Sequence, residues 1–226
     1  MVIAIDGTVS SGKSTIAKKL AEHLGFLYCN TGAIYRAITI KILNNTLTDA
    51  SNDEMKKILE QTSVTMTKDD SNKIHVFLDG KDVSDEINSP KISEEVSLYS
   101  KIPAVREYVR IVQQKIARNG NAVIEGRDIG TVVFPNAELK IFMTADIDVR
   151  AQRRMEDYKK QGKNLSFDEV KKQVIARDEA DTNRAISPLK PADDSVIYYN
   201  NGSDIEKVIL DLAKLVKEKE NKYRRL

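Results

Sequence analysis

The chain has 226 residues, which is long enough for one sizeable core and an inserted subdomain. It has 36 Lys and Arg residues against 34 Asp and Glu residues, so the formal net charge is only +2. A balance this even favours neither a nucleic-acid coat nor a membrane-surface protein, because both depend on a strong excess of positive charge. Any bound anion must therefore be met by a local cluster of cations.

The sequence also lacks membrane and soft-metal signals. No apolar run approaches the roughly 20 residues that span a bilayer, and Val2–Ile5 has neither a basic leader nor the length of a signal peptide. We therefore expect a cytoplasmic protein. The one cysteine, Cys29, cannot form an internal disulfide, and His23 and His75 do not complete a soft-metal ligand set. Cys29 is best interpreted as a buried strand residue.

The beginning of the chain alternates between strand and helix patterns. Val2–Asp6 is a short apolar run, a glycine-rich turn follows, and apolar residues then recur at helical spacing until Gly25. Phe26–Cys29 indicates a second strand, and Ala33–Leu43 indicates a second helix, entered through residues 30–32. Alternation of this kind is typical of a parallel sheet.

The middle of the chain follows a different period. From Ser63 to about Val83 apolar and polar residues alternate, which predicts an antiparallel meander inserted into the α/β pattern. A helical stretch follows Pro90, and a second helix is predicted at Ala104–Arg118. The insert is therefore expected to contain both strands and helices.

The α/β rhythm resumes after Gly120. We predict three more core strands, at Ala122–Glu125, Leu139–Met143 and Val196–Tyr199. A long arginine-rich helix begins at Asp146 and breaks near Gly162. Two further helices begin at capping-box pairs, Ser166 with Glu169 and Ser203 with Glu206. The basic tail, Lys217–Arg225, is interpreted as a solvated helix end rather than a nucleic-acid arm.

The turn after the first strand carries the most specific motif. Its residues fit the pattern G-x-x-x-x-G-K-[ST] between a predicted strand and a predicted helix, as Gly7-Thr8-Val9-Ser10-Ser11-Gly12-Lys13-Ser14. Backbone N–H groups in such a loop, together with the helix dipole, attract phosphate oxygens. We expect Lys13 to reach the β and γ phosphates of ATP and Ser14 to join a magnesium shell. A plain strand-to-helix turn would explain the glycines but not the Lys-Ser pair.

The loop alone does not identify what receives the phosphoryl group. A signalling GTPase would carry an Asn-Lys-x-Asp segment, which the sequence lacks. Four other segments place arginine where it could face the loop, at Thr31–Arg36, Pro103–Glu107, Gly126–Thr131 and Arg177–Arg184. Arg127 and Asp128 follow a predicted buried strand, which is where ligands bind in open parallel sheets. The planar guanidinium suits phosphate oxygens, so these segments predict an acceptor that carries a phosphate.

The same segments resemble those of bacterial cytidylate kinases, in the nucleoside monophosphate kinase group, in the family's order and over nearly the whole chain. The most specific marks are Thr31–Arg36, Glu125–Pro135 and Arg177–Pro188. The resemblance implies an α/β fold with a P-loop NTPase-type parallel five-stranded sheet flanked by helices, an inserted antiparallel-β/helical NMP-binding subdomain and a short lid. It assigns the kinase core to residues 1–62 and 103–226, the insert to 63–102 and the lid to about 153–170. Adenylate kinases carry a shorter helical insert and match less well.

The resemblance also implies an activity, namely transfer of the terminal phosphoryl group of ATP to CMP or dCMP, with Mg²⁺ held through Ser14. The implied ATP-binding residues are Gly7, Thr8, Val9, Ser10, Ser11, Gly12, Lys13, Ser14 and Thr15. The implied CMP-binding residues are Thr31, Arg36, Ser97, Arg106, Arg127, Asp128, Arg177, Asp181 and Arg184. The implied catalytic residues are Lys13, Arg127, Arg153 and Arg184.

Within this implied site the roles divide by the part of the acceptor that is held. Arg36 and Arg127 match residues that hold the acceptor phosphate, with Arg184 closing on it. The residues that match those reading cytosine are Ser97, Arg106 and Asp128, and those holding the pentose are Arg177 and Asp181. Ser100 could take the place of Ser97, and Asp128 could instead form a plain salt bridge with a neighbouring arginine.

Charge on the moving phosphoryl group requires a cation from the lid. Arg150, Arg153 and Arg154 share one face of the predicted helix after Asp146, and the family resemblance favours Arg153. Two rival functions stay open at this point: a kinase that uses UMP or another small acceptor, and a non-catalytic ATP-binding regulatory module. The expected partners are small nucleotides only, with no nucleic acid and no membrane, and the fold resemblance implies a monomer.

Overall fold

The computed structural model describes residues 1–69, 73–118, 120–202 and 204–223, and the chain divides into two compact units. The core unit comprises residues 1–29 and 117–226, and the second unit comprises residues 30–116. The second unit is therefore longer than the 63–102 insert of the sequence analysis. The narrower boundaries concern a functional subdomain and stay a prediction.

The described residues contain eight strands and eight α-helices. The strands are β1 Val2–Gly7, β2 Leu27–Asn30, β3 Val64–Lys68, β4 Ile74–Leu78, β5 Lys81–Asp82, β6 Ala122–Glu125, β7 Leu139–Thr144 and β8 Val196–Tyr199. The helices are α1 Lys13–Leu24, α2 Thr31–Asn44, α3 Asn52–Glu60, α4 Pro90–Tyr99, α5 Pro103–Arg118, α6 Ile147–Lys160, α7 Phe167–Thr182 and α8 Ile205–Tyr223. A short 3₁₀ helix, Glu86–Asn88, precedes α4, and a single π-helical turn, Ile129–Val133, follows β6.

The core unit is built on the predicted five-stranded parallel sheet, which is confirmed, with the strand order β2-β6-β1-β7-β8. β1 lies at the centre and pairs in parallel with β6 and β7. It takes this place because its residues are apolar enough to be covered on both faces, and Ile3, Ala4 and Ile5 are fully buried. Apolar residues of α1 and α8 pack on one face of this sheet and form the main core.

The first helix begins and ends as its sequence indicates. Ile16 and Leu20 recur at helical spacing and are buried against the sheet. Gly25 ends the helix in the left-handed conformation, with φ 68°, and its N–H is bonded to the last turn. Cys29 is fully buried in β2, as predicted.

The second unit contains the predicted antiparallel meander, with the strand order β3-β4-β5. Val64 pairs with Leu78 and Met66 with Val76, so the apolar residues of the two strands share one face. That face is buried, and α2 packs on β4 and α4. The period-2 alternation was therefore a sound signal for this segment.

Two features at helix starts differ from the sequence analysis. The helix α3 was not predicted, although Ser51 and Glu54 form a capping box in which Ser51 Oγ accepts the Glu54 N–H and Glu54 binds the Ser51 N–H. The predicted cap at Ser203 lies outside the described residues, and next to it Asp204 accepts the Glu206 N–H at 3.0 Å.

None of the helices found among the described residues has the length and apolar character needed to cross a membrane.

The close approach of β1 and β7 at Gly7 predicts a severe effect of Gly7→Ala. A Cβ at Gly7 would lie 1.8 Å from the Met143 carbonyl oxygen, and the φ of 147° is one that side chains rarely adopt. We expect the free energy of unfolding, measured by urea titration, to fall well beyond the about 1–2 kcal/mol of left-handed backbone strain alone. Gly25→Ala is the control, since a Cβ there meets nothing within 4 Å at φ 68°. Equal losses in the two variants would contradict the steric explanation.

The meander carries a histidine held between two carboxylates. His75 Nε2 and Nδ1 each lie 3.0 Å from a carboxylate oxygen, of Asp69 and Asp82 respectively, and these bonds raise the pKa of His75 above 6.5. A raised pKa means that this contribution to stability is present below about pH 6.5 and is lost as the pH rises through the pKa of the folded protein. We expect Asp69→Asn and Asp82→Asn each to lower the pKa of His75, as measured by NMR titration. The His23→Gln variant assigns the signal, and an unchanged pKa in both Asn variants would contradict the prediction.

Candidate active site

The phosphate-loop residues occupy the predicted place between β1 and α1. The loop leaves the sheet with the Thr8 N–H donating to the Met143 carbonyl oxygen at 3.2 Å. Ser10 and Gly12 have positive φ angles of 56° and 89°. A Cβ at Gly12 would lie 2.5 Å from Asn200 Nδ2, which itself donates to the Ser11 carbonyl at 2.9 Å. The loop is therefore wrapped tightly and braced by the end of β8.

Lys13 is the buried cation of the loop, and it is 5% exposed. Its ammonium group donates to the Thr8 carbonyl at 2.5 Å and to Ser11 Oγ at 3.4 Å. Burial, followed by the nearby positive charge of Arg127, lowers the pKa of Lys13 to about 7. The negative charge of a bound phosphate would favour the ammonium form, which is what a phosphate-binding lysine requires.

Ser14 connects the loop to the end of the neighbouring strand. Its hydroxyl donates to Glu125 Oε2 at 3.0 Å, and the Tyr28 hydroxyl donates to Glu125 Oε1 at 2.7 Å. Glu125 is the last residue of β6 and is only 4% exposed. Because the Ser14 hydroxyl donates a hydrogen bond to a carboxylate, the lone pairs of its oxygen point away from Glu125 and can bind a hard cation.

Asp6 connects the loop to the turn that follows β6. Its two carboxylate oxygens accept the backbone N–H groups of Ile129 and Gly130 at 2.8 and 2.7 Å. Burial raises the pKa of Asp6 to about 6, although these two hydrogen bonds act in the opposite direction. The π-helical turn, and with it Arg127 and Asp128 just before it, is thus held against the end of β1.

Three predicted arginines converge on one carboxylate, Asp181, near the end of α7. Arg127 Nε donates to Asp181 Oδ2 at 2.9 Å, while Arg177 and Arg184 approach the same carboxylate at 3.5 and 3.9 Å. Burial acts to raise the pKa of Asp181, but the three arginines hold it below its ordinary value. Asp128 adds a second carboxylate beside Arg184, so three guanidinium groups face two carboxylates, and the cluster keeps an excess of positive charge suited to a phosphate.

Asp128 lies beside the same cluster and is 5% exposed. Its Oδ1 atom is 3.5 Å from Arg184 Nη2, so the salt bridge that the sequence analysis left open is present. Arg184 is further fixed by a hydrogen bond from its Nε to the Ser187 carbonyl.

The three lid candidates on α6 have different surroundings. Arg153 Nη2 donates to the Asn200 carbonyl at 2.8 Å, and its Nη1 is buried without a hydrogen bond to any described residue. The same Nη1 atom lies 3.8 Å from the position a Cβ would take at Gly12. Arg154 stacks on the Tyr158 ring at 4.4 Å, and Arg150 is bonded within the protein. Arg153 is therefore the candidate with an available donor beside the loop.

The remaining predicted residues lie in the second unit. Thr31 begins α2 and is 3% exposed, next to Asn30, whose side chain accepts the Ala33 N–H at 3.2 Å. Arg36 lies one turn along α2 from Gly32, and a Cβ at Gly32 would be 3.2 Å from Arg36 Nη1. The glycine thus leaves room for this guanidinium.

Arg106 lies on α5, and its neighbours in the second unit include Ser100 and Tyr35. Its Nη1 donates to the Ser100 carbonyl at 3.1 Å, and its guanidinium lies 5.8 Å from the centre of the Tyr35 ring. Ser97 Oγ donates to the Glu94 carbonyl at 3.2 Å, and Ser100 Oγ donates to the Ser97 carbonyl at 3.4 Å. Both serine hydroxyls are bonded to their own helix, so the choice between them stays a prediction.

The core unit contains the loop and the predicted residues Arg127, Asp128, Arg153, Arg177, Asp181 and Arg184. It also contains supporting residues that the analysis missed, namely Asp6, Glu125, Asp178 and Asn200. Asp6, Glu125 and Asn200 lie at or just beyond the carboxyl ends of parallel strands, where ligand sites form, and that position was a usable signal. Among the described residues no group of three or more His, Cys, Asp or Glu side chains could hold a metal ion by itself.

Comparison with known proteins adds independent information. The family model for cytidylate kinase matches residues 3–218. A cytidylate kinase of Carboxydothermus hydrogenoformans is 42% identical over 219 residues, which cover 97% of this chain and 98% of the relative. A cytidylate kinase of Thermotoga neapolitana is 43% identical, with coverage of 96% and 97%.

A solved structure supports the fold. A shikimate kinase from Bacteroides thetaiotaomicron superposes with a TM-score of 0.51 at 16% identity, covering 96% of this chain and 98% of that one. This likeness concerns the fold alone. With the family match over nearly all residues and relatives above 40% identity, the chain belongs to the cytidylate kinase family.

Proposed function

We propose that this protein transfers the terminal phosphoryl group of ATP to CMP or dCMP, giving ADP and CDP or dCDP in pyrimidine nucleotide metabolism. Membership of the cytidylate kinase family supports the reaction. The observation that carries it in the structure is the convergence of Arg127, Arg177 and Arg184 on Asp181, in the unit that also holds the phosphate loop. A regulatory module would bind ATP without needing this second cationic cluster.

The donor side of the site is the loop from Gly7 to Thr15. Its backbone and the start of α1 bind the triphosphate, and Lys13 supplies the point charge. The electrostatic proximity of Lys13 and Arg127 supports a site in which donor and acceptor phosphates are both neutralised by nearby cations.

Magnesium fits the oxygen donors at the loop. Ser14 would hold Mg²⁺. Glu125 would orient the Ser14 hydroxyl, because its Oε2 atom accepts a hydrogen bond from that hydroxyl at 3.0 Å. Mg²⁺ usually keeps several waters and phosphate oxygens, so a site with one protein hydroxyl is sufficient. The ion supplies charge neutralisation and alignment of the triphosphate when bound.

The proposed acceptor-binding residues are those that the family resemblance implies. Arg36 and Arg127 bind the CMP phosphate and Arg184 closes on it, with Thr31 beside Arg36. Cytosine is read by hydrogen bonds with Arg106, Asp128 and either Ser97 or Ser100, where the Asp128 carboxylate accepts from the exocyclic amine. The pentose is held by Arg177 and Asp181. A polar set of this kind rejects a base that leaves its groups unpaired, which supports preference for cytosine over uracil.

The transfer itself needs no nucleophilic side chain. An oxygen of the CMP phosphate attacks the γ phosphorus of ATP, and the bond to the bridging oxygen breaks to release ADP. Lys13 and Arg127 offset the negative charge, and Arg153 adds a donor from the proposed lid at about 153–170. Closure of this lid and of the insert at 63–102 would exclude water and suppress ATP hydrolysis.

The setting of the enzyme follows from its substrates. We place it in the cytoplasm, where it acts as a monomer on small nucleotides, without a nucleic-acid or membrane partner. The near-neutral net charge of +2 is in keeping with that setting.

The first test is ADP release from ATP and Mg²⁺ with CMP, dCMP, UMP, AMP, GMP or no acceptor. We expect rapid turnover only with the cytidine nucleotides. Arg127→Ala should reduce kcat/KM by about a hundredfold, because it removes a charge aimed at the transferring group. Arg118→Ala, at an exposed arginine in α5, is the matched control and should leave turnover unchanged. Faster turnover with UMP or another acceptor would contradict the assignment.

A second test concerns the carboxylate at the centre of the arginine cluster. Asp181→Asn keeps the shape of the side chain but removes the charge that three arginines share. We expect the KM for CMP to rise about tenfold while the KM for ATP changes little, since a charge-assisted hydrogen bond contributes about 1.5–3 kcal/mol and 1.4 kcal/mol is tenfold in affinity.

The control for this test is Glu179→Gln, which removes an exposed carboxylate two residues away on the same helix. A KM for CMP that is unchanged in Asp181→Asn would argue against the proposed role of Asp181.

A further inference from the structure

A pair of charged side chains from α6 and α7 holds the phosphate loop at Val9. The Val9 N–H donates to Asp178 Oδ1 at 3.0 Å, and the Val9 carbonyl accepts from Arg150 Nη1 at 3.3 Å. The same Arg150 Nη1 also donates to Asp178 Oδ2. Both backbone polar groups of one loop residue are therefore bound by an ion pair that comes from outside the loop.

The pair is largely enclosed. The side chain of Arg150 is 10% exposed and that of Asp178 is 17% exposed. Arg150 Nε also donates to the Ala145 carbonyl at 2.9 Å, just after the end of β7. Burying two charges adds little to the stability of the fold, because the free-energy cost of their desolvation offsets their mutual attraction. A buried ion pair that is hydrogen-bonded to a ligand-binding loop is better explained by the conformation that it gives to that loop.

The loop needs such a support immediately after Val9. Ser10 has a φ of 56°, which lies in the left-handed region that residues other than glycine and asparagine rarely adopt. Such backbone strain persists where the surrounding structure fixes the chain on either side. Val9 is fixed by Asp178 and Arg150 on one side of Ser10, and Ser11 is fixed by Asn200 Nδ2 on the other.

We infer that Asp178 and Arg150 are positioning residues for ATP, which hold the Val9 backbone so that the following loop amides face the triphosphate. The inference rests on the proposed use of ATP as the phosphoryl donor. It assigns Arg150 to the base of the loop rather than to the lid, since its Nε and Nη1 already serve Ala145, Val9 and Asp178. Preformed donors bind phosphate well because no reorganisation is needed when the ligand arrives.

The consequence is a selective loss of ATP affinity when the pair is broken. Asp178→Asn retains an oxygen that can accept the Val9 N–H but loses the charge opposite Arg150, whereas Asp178→Ala loses both. We expect the KM for ATP to rise a few-fold in Asp178→Asn and at least about tenfold in Asp178→Ala, the scale of one charge-assisted hydrogen bond. The KM for CMP should stay within about twofold of the wild-type value, a change too small to signal a lost hydrogen bond.

The experiment measures the KM values for ATP and CMP and, by calorimetry, binding of a β,γ-imido ATP analogue with Mg²⁺. Glu179→Ala, an exposed acidic residue next in the helix, is the control and should change neither affinity. If Asp178→Ala does not fold, Asp178→Asn, Arg150→Gln and the double variant decide. A combined loss smaller than the sum of the single losses supports one coupled unit.

Two results would overturn the inference. Lower thermal stability with unchanged ATP affinity would make the pair purely structural, and tighter ATP binding in Asp178→Ala would mean that Asp178 competes with the phosphates for the loop. Absence of wild-type turnover with CMP would instead contradict the proposed reaction. The binding measurements with the ATP analogue would still test the positioning role in that case.

Discussion

Several positive charges are held close together at the carboxyl end of the core sheet, and the carboxylates around them are the constraint on which the site depends. Lys13 is so far removed from water that its pKa falls to about 7. Nearby Glu125, Asp6 and Asp178 act against that fall, and Asp181 does the same work for the arginine cluster. Without these carboxylates the fold would have to bury mutually repelling cations, whose cost rises steeply as water is excluded.

Two of these carboxylates, Asp6 and Asp178, also fix the conformation of the backbone. Asp6 binds the two N–H groups that begin the turn after β6, and Asp178 binds the loop at Val9. Each therefore acts twice, as a charge that tolerates neighbouring cations and as a hydrogen-bond acceptor that fixes a ligand-facing segment. These two roles explain why so many charged side chains are buried near the phosphate loop of this protein. The substrates supply the rest of the negative charge when they arrive.

Much of the fold could be predicted from the sequence because its signals are local. The apolar run of β1, the helical spacing of Ile16 and Leu20, and the alternation in the meander each specify an element by itself. The missed helix α3 has only two buried residues, Met55 and Leu59, in its nine positions, so its apolar period is too short to stand out. Its capping box could nevertheless have been recognised in the sequence, at Ser51 and Glu54.

The chemistry of the site could be predicted only in part from the sequence, for a different reason. Motifs and family resemblance predicted residues that would bind the ligands, such as Lys13 and Arg127. The residues that hold them act across long separations in the chain, as when Val9 meets Asp178 or Ser14 meets Glu125. Sequence patterns and residue spacing predict individual helices, strands and loops. They do not predict which side chain of a later helix will contact an earlier loop. Such partners emerge only when the elements are packed.

In the proposed site Arg106 reads the base, and neighbouring groups already hold its side chain in place. Its guanidinium is held by the Ser100 carbonyl and the Tyr35 ring, all within the second unit. A base-reading group that is already ordered loses little conformational freedom on binding, so more of its hydrogen-bond energy discriminates between bases.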